Sequence, residues 1–111
     1  AGAYALAAGK RAANALAFDH AATLFREALA LMPAGDPLLH AVRVELGDAL
    51  AWAGRGGDAA EAYLEAVRGA TPEDALALER RAAEELLFSG HVDRGMDVLT
   101  RVLAHFGLGF S

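Results

Sequence analysis

The sequence predicts an all-α protein, an α-α superhelix of about six short antiparallel helices arranged as three helix-turn-helix pairs. Three observations lead there. Alanine dominates an apolar share of 55% of the 111 residues, while aromatics make up only 7%. Turn signals cut the chain into pieces of even length, and small residues return at a nearly constant spacing. Alanine has the highest helix propensity and lets helices approach closely. A sheet would call for Val, Ile, Thr and aromatics, and isoleucine is absent.

The elements follow in order. The alanine-rich opening and the stripe Leu24, Phe25, Ala28, Leu29 and Met32 predict helices near 2–16 and 19–32. Pro33-Ala34-Gly35-Asp36-Pro37 is the clearest break, with Asp36 able to cap a helix whose first residue is Pro37. Val42, Leu46, Ala49, Leu50 and Ala53 make the stripe of a helix near 37–53. Gly54-Arg55-Gly56-Gly57 then marks a tight turn into a helix near 58–69. Thr71-Pro72-Glu73-Asp74 repeats the capping chemistry and brings two acids to a positive helix end. The helix near 73–88 carries Leu76, Ala83, Leu86 and Leu87. Ser89-Gly90 turns the chain into a last helix near 92–106 with Val92, Met96, Leu99, Val102 and Leu103. No segment reads as a strand. The length suits a single domain, with units of about 2–35, 37–71 and 73–107.

Self-comparison sharpens the division. With Gly9, Gly47 and Ala83 in register, at offsets of 38 and 36, Ala21, Ala59 and Gly95 coincide. Phe25, Tyr63 and Leu99 follow, then Ala28, Ala66 and Val102. Gly54 matches Gly90, but the first unit has Leu16 there, so its inner turn must be built differently. Small residues belong where two helices of a pair cross closely. The Phe or Tyr one turn before the second alanine fills the space between one pair and the next.

This order of residues resembles the tetratricopeptide repeat, a helix-turn-helix unit of about 34 residues with a Leu-Gly pair in its first helix and Ala-x3-Phe in its second. The second unit carries Leu46-Gly47, Leu50 where an aromatic is usual, Gly54, Ala59, Tyr63, Ala66 and Pro72. The first has Gly9, Phe18, Ala21, Phe25, Ala28 and Pro33, with Ala8 in place of the leucine. The third departs further, with Gly95 for alanine and Val102 for the last small residue. The stretch from Arg81 to Met96 is also similar to a segment of large bacterial signalling proteins, in which a serine/threonine kinase domain precedes an ATPase module and a helical repeat region. That resemblance implies a regulatory arm, with any catalytic domain outside these residues.

Composition narrows the function. A net charge of −5 with scattered basic residues disfavours nucleic acid, which needs a concentrated basic face. The absence of cysteine removes disulfides, thiolate metal sites and a thiol nucleophile, and is compatible with the expected cytoplasmic location. No stretch has the apolar length of a membrane span, and residues 1–9 lack the basic start of a signal peptide. The missing initiator methionine and the end at Ser111, without a polar closing helix, suggest a piece of a longer protein.

Catalytic chemistry finds no frame. His20, His40, His91 and His105 do not pair at helical spacing, so no metal or other cofactor is expected. Glu84-Glu85 point about 100° apart on a helix, so they cannot easily share one substrate as paired acid and base. Ser89-Gly90 lacks the Gly-x-Ser-x-Gly elbow, and Gly54-Arg55-Gly56-Gly57 lacks a following Gly-Lys-Ser/Thr. The expectation is a non-enzymatic module binding a protein or peptide partner, or another domain of the same chain. The alternative is a structural spacer, or a segment that self-associates through exposed repeat ends.

The family resemblance places the partner on the inner wall formed by the first helix of each pair. That wall comprises Leu6, Lys10, Ala13 and Asn14, then Val44, Asp48, Ala51 and Trp52, then Arg80, Glu84, Leu87 and Phe88. The partner-binding candidates among them are Lys10, Asn14, Val44, Asp48, Trp52, Arg80, Glu84 and Phe88. Trp52 and Phe88 stand 36 apart at equivalent places, as ring anchors for an apolar segment. Some family members clamp a partner's terminal carboxylates with Lys, Arg and Asn. Asp48 and Glu84 occupy that clamp here, so an apolar or mixed-charge ligand is expected instead of an acidic C-terminal peptide.

Overall fold

A computed structural model describes the backbone of residues 2–105 and the side chains of residues 14–105. Its elements are α1 (Gly2–Leu31), α2 (Leu39–Trp52), α3 (Gly56–Ala66) running into a 3₁₀ turn at Val67–Gly69, α4 (Pro72–Phe88) and α5 (Val92–His105). Among the described residues there is no strand, and no helix is long and apolar enough to cross a membrane. The all-α expectation stands.

Among the described residues the α-helices number five, in place of the expected six or so. The expected turn between residues 16 and 19 is absent, and α1 runs unbroken for 30 residues, about 45 Å at 1.5 Å per residue. The physical reason lies at Leu16. Its two counterparts, Gly54 and Gly90, take left-handed backbone at φ +82° and +89°. An L side chain resists that conformation by roughly 1–2 kcal/mol. Flanked by Ala15 and Ala17, Leu16 therefore continues the helix, and residues 2–35 do not form a helix-turn-helix pair.

The later units do fold as pairs, through one turn used twice. At the end of α2, the Gly54 N–H donates to Ala51 O (3.1 Å) and the Arg55 N–H to Leu50 O (2.9 Å). At the end of α4, the Gly90 N–H donates to Leu87 O (3.3 Å) and the His91 N–H to Leu86 O (2.7 Å). Both are the paired-bond helix ending that requires a left-handed residue after the cap. At the start of α4, Thr71 Oγ1 accepts from the Asp74 N–H at 3.2 Å, with Pro72 first in the helix, as the sequence indicates. Asp36 also acts locally, accepting from the Leu38 N–H at 2.9 Å, but α2 begins two residues beyond Pro37.

Each helix packs chiefly on its neighbours in the chain: α1 on α2, α2 on α3, α3 on α4, α4 on α5. The core is built largely of alanine, with Tyr63, Leu50 and Leu86 as its largest fully buried side chains. Equivalent positions of the two pairs are buried alike: Gly47 and Ala83, Leu50 and Leu86, Ala59 and Gly95, Ala66 and Val102. The glycines mark close approaches. A Cβ on Gly47 would lie 2.5 Å from Tyr63 Cε1, and one on Gly95 would lie 2.8 Å from Leu87 Cγ.

Candidate functional site

Side-by-side, parallel placement of α2 and α4, with α3 behind them, leaves a groove between the two. At one end it is lined by His40 and Val44 of α2 and by Asp74, Ala77, Leu78 and Arg81 of α4, enclosing about 250 Å³. At the other end Ala51 and Trp52 face Arg81, Glu84 and Glu85 across the Tyr63 ring, enclosing about 300 Å³.

A polar link at Arg81 separates the two ends and ties three helices together. The Tyr63 hydroxyl of α3 donates to Asp48 Oδ1 of α2 at 2.7 Å. Arg81 Nη2 of α4 donates to the same hydroxyl oxygen at 2.9 Å and is ion-paired with Asp48. The Arg81 guanidinium carbon lies 4.4 Å from the centre of the Tyr63 ring, within cation–π range. Burial, then the hydrogen bond to Asp48, push the Tyr63 ionisation well above its usual value of 10.0. The Glu85 carboxyl is pushed up by burial and by neighbouring Glu84, while Arg81 pulls it the other way. Asp48 Oδ1 is thus engaged within the fold, while the side chain stays 41% exposed.

The aromatic candidates stay in solvent. Trp52 is 71% exposed, although Phe18 of α1 stacks on it at 5.9 Å between ring centres. Phe88 is 88% exposed on the last turn of α4. Val44, Trp52 and Glu84 line the groove. Arg80 does not: it lines a notch with Glu73, Leu76, Ala77 and Val102, on the α5 side of α4. Leu87 also turns to α5, packing against Gly95. Phe88 is not among the groove-lining residues either. Asn14 is exposed on α1, outside the groove, and the side chains of Leu6, Lys10 and Ala13 lie outside the described residues.

The groove residues missed from sequence are His40, Asp74, Ala77, Leu78, Arg81, Glu85 and, at its floor, Tyr63. A helix in a stack has two walls, one facing the preceding helix pair and one facing away from it. Register alignment selects the same wall in each unit. Val44, Asp48 and Trp52 face forward from α2 toward α4, so their counterparts Arg80 and Phe88 sit toward the forward wall of α4, with Glu84 still lining the groove. What closes the groove is the rear wall of α4, with Arg81 and Glu85 one residue on from Arg80 and Glu84.

Two further clusters carry polar contacts. His40 Nδ1 lies 3.0 Å from the Ala66 carbonyl, so that nitrogen carries the hydrogen. Ser89 Oγ donates to Leu86 O at 3.2 Å, and His91 Nδ1 lies 2.9 Å from the same hydroxyl. Among the described residues, no three His, Asp or Glu side chains gather as a metal site.

Comparison of the chain with protein-family models, with curated proteins and with solved structures finds no match.

Proposed function

We propose that this chain is a protein-interaction segment of the tetratricopeptide type, holding a partner segment along the groove between α2 and α4. Support for the repeat reading comes from the turn used twice, 36 residues apart, and from packing that runs mainly between chain neighbours. The observation that carries the functional reading is Trp52. A large ring at a groove edge, left 71% exposed, is what an interface anchor looks like before its partner arrives. Within a longer signalling chain in the cytoplasm, such a segment acts as a scaffold or regulatory arm and not as an enzyme.

A second reading has its own support. The outer helices expose Leu24 and Leu31 on α1 and Val92 and Met96 on α5, the surfaces by which a spacer or self-associating segment would stack. Affinity capture with wild type, Trp52→Ala and Phe88→Ala separates the two, with circular dichroism as the folding control. Loss of a captured protein with Trp52→Ala supports the groove. Capture unchanged in both variants, together with self-association that persists, overturns it in favour of the spacer.

A further inference from the structure

We infer that the Trp52 end of the groove is a pocket for a cationic side chain, a lysine or arginine of the partner segment. The inference rests on the groove reading above and specifies its chemistry. One indole, two carboxylates and a tyrosine ring line this end. Among the described residues lining it, the one cation, Arg81, already has its charge matched by Asp48 and its guanidinium carbon 4.4 Å from the centre of the Tyr63 ring. Glu84 and Glu85 make no ion pair among the described residues, so the pocket carries two acidic side chains beyond the matched pair.

The other occupants fit poorly. A purely apolar side chain would strip water from two carboxylates and offer them nothing in return. An acidic one would meet like charge. A cationic side chain satisfies each surface at once, its aliphatic stem lying on Ala51 and the indole, its charged head meeting Glu84 and Glu85. Trp52 is well prepared for this, since Phe18 stacks against the ring at an interplanar angle of 28° and helps fix it. The net charge of −5 extends the same preference to long range.

Trp52 is the sole tryptophan, so its fluorescence reports directly on the pocket. The probes are a short acetylated peptide, Ala-Arg-Leu-Arg-Ala-amide, and its glutamine and glutamate counterparts at both arginines. The arginine peptide should bind at least tenfold more tightly than the glutamine peptide, and the glutamate peptide should not bind. Its affinity should fall about tenfold in Glu84→Gln/Glu85→Gln. It should also weaken as salt rises from about 50 to about 500 mM and the Debye length shrinks, and as acidification protonates Glu85 in wild type.

Equal binding of the arginine and glutamine peptides, or an undiminished double variant, overturns the pocket. So does the absence of any response to the arginine peptide at about 1 mM, the weak end of useful affinity. If the glutamine peptide binds equally and Trp52→Ala abolishes that binding by calorimetry, the groove survives and only its cation preference falls. If partner capture is indifferent to Trp52→Ala, the groove reading fails first.

Discussion

A Gly47→Ala substitution would set a methyl group 2.5 Å from Cε1 and 2.6 Å from Cδ1 of Tyr63, about an ångström inside ordinary contact. The ring cannot easily yield. It is 1% exposed, its hydroxyl is held by Asp48 and Arg81, and a guanidinium lies over its face. Overpacking of this kind costs about 1–3 kcal/mol. The better helix propensity of alanine returns up to about 1 kcal/mol. The net expectation is a loss of about 1–2 kcal/mol, which for a domain of this size lowers Tm by roughly 4–12 °C. Urea unfolding followed by circular dichroism measures it, with Gly35→Ala as control because nothing lies within 4 Å of that site. Within this chain the third unit pairs Ala83 with Leu99 where the second pairs Gly47 with Tyr63, so adding Tyr63→Leu should relieve the clash. A Gly47→Ala protein as stable as wild type would refute the claim that a small residue is required there by the approach of α3.

Further expectations follow from the same contacts. Gly54→Ala and Gly90→Ala should each cost about 1–2 kcal/mol through their left-handed backbone, although neither site is crowded; unchanged urea midpoints would contradict this. Tyr63 holds its proton more tightly folded than unfolded, so its contribution is intact below about pH 10 and declines as pH rises past the unfolded value. An alkaline unfolding series should therefore show a loss of stability that Tyr63→Phe removes. A double-mutant cycle of Tyr63→Phe and Arg81→Met should give a coupling of about 1 kcal/mol or less, because Arg81 and Asp48 are each about 40% exposed and screened. A coupling near zero would mean that the link between α2, α3 and α4 is incidental.

What the sequence revealed was decided by local chemistry. Thr71-Pro72 and the two left-handed glycines announce helix ends through backbone constraints that act within a few residues, so α2 to α5 fall close to their expected bounds. The small residues at Gly47, Ala59, Ala66 and Ala83 mark close packing for the same reason. At α1 the repeat pattern suggested a turn, but no residue in the Ala15-Leu16-Ala17 run can end a helix, and local propensity prevailed over periodicity. The groove was legible on α2, where Val44 and Trp52 line it. On α4 only Glu84 was legible, because the repeat register names equivalent positions and a groove is closed by opposed ones. Arg81 escaped notice beside Arg80, since only the packing of α4 on Tyr63 decides which of two adjacent arginines turns inward.

The most direct test of the groove is to place a photoactivatable phenylalanine analogue at position 52 and, separately, at exposed position 24 on α1, then to cross-link with the captured partner. Binding between α2 and α4 predicts strong cross-linking from position 52 and little from position 24. Equal yields from both, or a dominant product from position 24, would contradict it.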